Sequence, residues 1–188
     1  MQNRAALRAW LQANHATSGT VWLAAFKRAH PDYLATRQMT EELLCWGWID
    51  SLPRSIDESR TGHLIAPRKP LSAWSAVNKA LVARARESGA MTPAGEAKIA
   101  LALANGNGNA NGMWDFLNDV EALDVPPDLA AALQGTAAEV WDAYPRSVKR
   151  GTLEWLKMAK GAQTRAARIA EISASAALNL RPKVFRRP

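Results

Sequence analysis

Strand-forming sequence ends by Pro67, and every apolar pattern beyond it repeats at helical spacing. Thr20 to Lys27 (TVWLAAFK) carries Val21, Leu23 and Ala25 on one alternating face and Trp22, Ala24 and Phe26 on the other. That pattern predicts a strand covered on both sides. Leu52 to Asp57 and Gly62 to Pro67 read as a hairpin around Glu58-Ser59-Arg60-Thr61. Pro53 cannot donate to a ladder, so its strand lies at an edge or starts late.

Helical spacing predicts helices over Arg4 to His15 and over Arg37 to Trp46, the second closed at Gly47. Ser72 is expected to cap a long helix whose stripe is Trp74, Val77, Leu81, Val82 and Ala85. Thr92-Pro93 starts another. Further helices are expected near Pro127 to Leu133, Ala137 to Ala143, Ser147 to Lys160 and Ala162 to Leu178. In the last two, Val148, Trp155, Leu156 and Ala159, then Ile169, Ile172 and Ala176, form the inward stripes. The tail RPKVFRRP is expected to stay disordered unless something binds it.

The fold class is therefore α+β and mainly helical: a small β-sheet with a β-hairpin packed on helices, plus a C-terminal helical layer. Residues 1–104 are expected to form the α+β domain and residues 113–188 the helical region. The Asn/Gly run 105–112 should be a flexible joint between them.

No apolar run approaches the roughly 20 residues of a membrane span. MQNRAALRAW has no apolar h-region, so no signal peptide is expected. With Cys45 as the single cysteine, a reducing cytoplasm is the expected setting. The net charge of +7 is uneven, with 11 basic against 2 acidic side chains from residue 146 onward. Arg146, Lys149, Arg150, Lys157, Lys160, Arg165 and Arg168 are expected on an outer surface. Weak, non-specific contact with nucleic acid or another anionic surface is the partner this suggests. Solubility is the plainer use of the same charge.

The residues best placed for chemistry cluster at the hairpin ends and the helix start that follows. Arg68 and Lys69 precede Ser72, where a helix N-terminus and two cations together would hold a small anion. Ser75 and Asn78 extend that wall. Trp48 and Trp74, with Trp46, would line a cleft or else belong to the core. Asp50 and Asp57 flank a strand carrying Arg54, as an acid–base pair or as a turn cap and a structural pair with Arg54 or Arg68. The site expected for a ligand is thus Trp48, Asp50, Arg54, Asp57, Arg68, Lys69, Ser72, Trp74, Ser75 and Asn78. Cys45, among apolar neighbours, reads as an inert thiol and His15 as a helix-end cap. No His/Cys/Asp/Glu spacing resembles a metal site, and neither a cofactor nor a catalytic residue is assigned.

The words RAWLQANH, VWLAAFKR, EELLCWGWIDS, SIDESR, PRKPLSAWSAVNKA, SGAMTPAGEAKI and AYPRSVKRGTLEWLKMAKGAQTRAARIAEI, in this order along the chain, resemble the YdeI/OmpD-associated (bacteriocin-protection) family. The chain departs from it at Trp46, where Phe is usual, and at Pro53, where a basic or polar residue is usual. The resemblance implies a bacterial stress protein acting in resistance to bacteriocins or cationic antimicrobial peptides, with no established molecular activity. Two other classes stay open: an enzyme of unassigned reaction using the Asp and Arg groups of the hairpin, and a weak nucleic-acid binder. The oligomeric state is left open.

Overall fold

A computed structural model of the chain describes residues 1–105 and 112–186. It divides into two compact units, Met1–Phe116 and Leu117–Pro188. Of the expected joint, residues 106–111 lie outside the described residues; Asn105 caps the helix before it and Gly112 opens the helix after it. Among the described residues, no helix is long and apolar enough to cross a membrane.

The first unit runs α1 (Arg4–Asn14), β1 (Val21–Phe26), α2 (Thr36–Cys45), β2 (Trp48–Ser55), β3 (Arg60–Pro67), α3 (Ala76–Glu87), α4 (Pro93–Ala104) and α5 (Gly112–Asp115). The sheet is antiparallel in the order β1-β3-β2, with Val21 opposite Ile65 and Trp48 opposite Pro67. Its covered face packs Leu23, Ala25, Trp48 and Ile65 against Leu7 and Leu11 of α1 and Met39 and Leu43 of α2. Gly47 turns the chain from α2 into β2 at φ +72°, a conformation that glycine adopts without strain. A second cluster gathers Leu44, Trp74, Leu81, Val82, Ile99, Ala102 and Met113.

Four local expectations are corrected. The strand β1 is covered on one face only: Leu23 and Ala25 are buried, whereas Trp22 is 40% exposed. The Arg54 guanidinium, 3.9 Å from the Trp22 ring centroid, stands where a second apolar layer was expected. The hairpin begins earlier, at Trp48, and β2 meets β3 through a register shift between Asp50 and Pro53. Pro53 does sit on an edge strand, and the bulge beside it is one place where sheets tolerate proline.

The third correction concerns α3, which starts at Ala76 and is capped by Ser75, whose side chain accepts from the Asn78 N–H. Ser72 lies instead in a turn, its N–H donating to Lys69 O at 3.0 Å. Tertiary bonds hold the chain out of the helix here, because Ala73 O accepts from Arg68 and the Trp74 N–H donates to Met113 O. Val77, expected on the inward stripe, is 65% exposed as a result.

The second unit packs α6 (Asn118–Ala122), α7 (Pro127–Ala132), α8 (Thr136–Ala143), α9 (Arg146–Lys157) and α10 (Ala162–Ala177) around Leu129, Leu133, Trp141, Val148, Leu153, Leu156 and Ile172. Trp155, expected to face inward, is half-buried beneath the Arg168 guanidinium at 4.8 Å. The fourth correction is the tail as far as Arg186, residues 187–188 lying outside the described residues. Residues 183–185 form a 3-10 turn, with the Lys183 N–H and the Arg186 guanidinium donating to one oxygen of Glu171. The Phe185 ring lies against Gly151, so close that an added Cβ would sit 2.5 Å from it. A carboxylate and a missing side chain on neighbouring helices thus capture a segment that has no apolar period of its own.

Candidate functional site

Arg68 follows Pro67, the last residue of β3, and its N–H donates to Gly47 O at 2.9 Å. The side chain turns inward and is only 4% exposed. One terminal nitrogen donates to Ala73 O at 2.8 Å, and the guanidinium carbon lies 3.8 Å from the Trp74 ring centroid. Nε is buried with no partner, and no carboxylate among the described residues forms an ion pair with Arg68. Burial alone lowers its pKa to about 10. A buried cation without a counter-ion is costly, and this one lies beside an aromatic wall.

Five of the expected residues are continuous with Arg68. Lys69 is exposed, Ser72 closes the turn from Lys69, and Trp74 lies under the guanidinium with its ring 5.0 Å from that of Trp114. Ser75 and Asn78 form the first turn of α3 through the cap bond of 3.3 Å. Trp48 is a core residue, 1% exposed, whose indole N–H donates to His15 O at 3.2 Å. His15 closes α1 as expected, its Nδ1 within 3.0 Å of Leu11 O.

The remaining three are engaged by other partners. Asp50 accepts a hydrogen bond from the Thr40 hydroxyl of α2 at 3.0 Å. Arg54 covers Trp22 on the opposite face of the sheet. Asp57 pairs with neither Arg54 nor Arg68. It sits at the hairpin tip, where one carboxylate oxygen accepts from the N–H groups of Ser59 and Arg60, and the other accepts from the Arg60 side chain. Local turn bonds explain this, since an Asp side chain readily caps its own backbone. Asp50 and Asp57 are thus held in separate environments and form no shared acid–base pair.

The Arg60 bond, with the Ser59 contacts, lowers the pKa of Asp57 to about 2. A depressed carboxylate contributes stability that is complete above its unfolded value of about 4 and is lost as pH falls toward the folded value. A carbon-detected NMR titration should therefore place Asp57 near 2. A midpoint near 4 would mean that the turn bonds do not persist in solution.

Cys45 is buried, and burial, followed by the charge of Glu42, raises its pKa to about 11. The thiol should react with a disulfide reagent only as fast as the protein unfolds. Reaction complete within seconds in native buffer would contradict this placement.

One cluster went unforeseen. Glu41 and Glu42, adjacent on α2, are 2% and 1% exposed. Arg4 bonds both, Arg8 bonds Glu42 at 2.7 Å, and Arg84 of α3 bonds Glu41. The Trp46 indole N–H adds a bond to Glu42 at 3.3 Å, and Arg8 also donates to Ala90 O. The available signal was Arg4 and Arg8 at i,i+4 spacing beside Leu7 and Leu11, which places both cations at the margin of a buried stripe. Among the described residues no group of three or more His, Cys, Asp or Glu side chains could hold a metal ion.

In the second unit, 8 acidic side chains accompany 11 basic ones, and the expected open cationic surface is substantially neutralised from within. Arg150 pairs with Glu121 and Glu154, Lys157 with Asp119, and Arg165 with Asp128. Arg146, Lys149 and Arg168 donate to the backbone carbonyls of Glu121, Asp142 and Trp155. Counting charge from residue 146 onward missed this, because three of the balancing carboxylates, Asp119, Glu121 and Asp128, precede it.

Two family comparisons match. Residues 1–98 match a domain of unknown function, DUF8412, and residues 122–179 match the family described as bacteriocin-protection, YdeI or OmpD-associated. The second match covers part of the chain, and the N-terminal words noted above fall under the first. Neither a curated protein nor a solved structure matches.

Proposed function

The chain belongs to the DUF8412 family and carries a bacteriocin-protection, YdeI or OmpD-associated region in its second unit, and from that premise we propose that it is a small-anion-binding protein serving resistance to bacteriocins or cationic antimicrobial peptides. The observation that carries the reading is Arg68, a buried guanidinium stacked on Trp74 with an unpartnered Nε and no carboxylate. The ligand class is a small molecule bearing a carboxylate or phosphate, which supplies the charge and the acceptors that the protein withholds. Lys69 offers a second cation from the exposed side, and the Ser72 hydroxyl and Asn78 amide offer neutral donors. Catalysis is not part of this proposal, since Asp50 and Asp57 are committed to separate structural bonds. A cytoplasmic setting is, and it rests on the single buried thiol.

The test is thermal unfolding in a panel of phosphate, sulfate, dicarboxylates and nucleotides, compared between the wild-type chain and Arg68→Met. A binding anion should raise the wild-type melting temperature by mass action. Arg68→Met should weaken that anion by roughly 1.5–3 kcal/mol, the worth of a charge-assisted hydrogen bond. Without ligand the variant should be as stable as wild type, because an apolar side chain of similar volume relieves an unpaired buried charge. A ligand-free loss of several kcal/mol, or anion shifts equal in both proteins, would make Arg68 a purely structural residue.

A further inference from the structure

The second unit ends in a segment whose backbone is pinned while its aliphatic side chains are not covered. Leu178 caps α10, Asn179 takes a left-handed turn at φ +54°, and the Leu180 N–H returns to Ser175 O at 2.9 Å. The Tyr144 hydroxyl donates to Leu180 O, Pro182 is buried, and Glu171 holds the Lys183 N–H at 2.8 Å. Despite this anchoring, Leu178 is 71% exposed, Leu180 44% and Val184 45%. Interleaved with them are Arg181 and Lys183, both exposed, and residues 178–186 contain no acidic side chain. Arg181 forms no hydrogen bond or ion pair among the described residues, and the Lys183 ammonium has only the Trp155 ring, at 6.0 Å.

We propose that this segment is a reversible docking surface for an anionic lipid membrane. The aliphatic side chains supply apolar area for the headgroup–acyl boundary, and Arg181 and Lys183 supply attraction to the negative surface. Because the 3-10 turn and the Glu171 bonds already fix the backbone, docking orders little further chain. The chemistry selects lipid over other partners. Nucleic acid would use the cations and leave three aliphatic side chains in water. A second copy placed on the same patch by a two-fold axis would bring like charges together. The inference is independent of Arg68 and of the anion proposed there.

Co-sedimentation of the whole protein with vesicles tests it. At low salt the protein should pellet with phosphatidylcholine vesicles containing phosphatidylglycerol and remain free with phosphatidylcholine alone. Arg181→Gln and Lys183→Gln should each weaken partitioning roughly fivefold, the effect of removing one cation near an anionic surface. Leu178→Asn with Val184→Asn should abolish pelleting with the melting temperature unchanged, since both side chains are exposed. No pelleting with anionic vesicles at low salt would overturn the proposal. So would vesicle binding indifferent to the Leu178 and Val184 changes, or duplex DNA retention equal to vesicle binding and equally indifferent. A stable dimer that Leu178→Asn dissociates would assign the patch to self-association instead.

Discussion

Replacing Arg4 and Arg8 together with methionine is expected to destabilise the first unit by about 3–5 kcal/mol, the usual consequence of leaving a buried charge uncompensated. The burden falls on Glu42. Its side chain is 1% exposed, one oxygen takes Arg4 Nε at 2.8 Å, and the other takes Arg8 at 2.7 Å and the Trp46 N–H at 3.3 Å. The double change strips away both guanidiniums and leaves one neutral donor. Glu41 fares better, because Arg84 remains. Methionine preserves most of the apolar stem, so the loss reports on charge rather than packing.

An asymmetry sharpens the expectation. The arginine side chains are a third to nearly half exposed, whereas the carboxylates are nearly inaccessible. Glu42→Gln should therefore cost less than the double arginine change, because stranded guanidiniums can turn to water and a stranded carboxylate cannot. Urea unfolding of the two variants decides it. A double-variant loss below about 1 kcal/mol would class the whole network with ordinary surface pairs.

What was legible beforehand follows from how locally each feature is determined. The start of α4 was readable because Thr92 and Pro93 settle it between them: the Thr92 side chain accepts from the Gly95 N–H and Pro93 opens the first turn. The α+β class was readable because periodicity separates a hairpin from helices. The start of α3 was not, because Ser72 and Ser75 are equally good caps in sequence. Bonds with Arg68, just past β3, and with Met113, in a later helix, choose between them. The Glu41–Glu42 cluster was hidden for a related reason. Charge in a pattern reads as solvent-facing, and only the apposition of α1, α2 and α3 reverses that. At the candidate site, Arg68, Ser72, Trp74, Ser75 and Asn78 were found together because they are near in sequence. Arg54 and Asp57 were drawn in by the same proximity, yet strand alternation and turn chemistry send them elsewhere.

Trp74→Ala is expected to cost about 3–5 kcal/mol, the range for truncating a large buried aromatic. The ring is 1% exposed, belongs to the cluster of Leu44, Leu81, Val82, Ile99, Ala102 and Met113, and meets Trp114 at 5.0 Å. Packing alone would give a loss of this size, so the single variant cannot show that the ring also carries Arg68. A double-mutant cycle with Arg68→Met separates the two. A guanidinium stacked 3.8 Å above the ring centroid and largely desolvated should couple to it by roughly 1–2 kcal/mol. Trp74→Phe should lose less than Trp74→Ala and retain part of that coupling, since a smaller aromatic face remains beneath the cation. Losses that simply add, with no coupling in urea unfolding, would place Arg68 off the ring. The aromatic wall of the proposed anion site would then be lost.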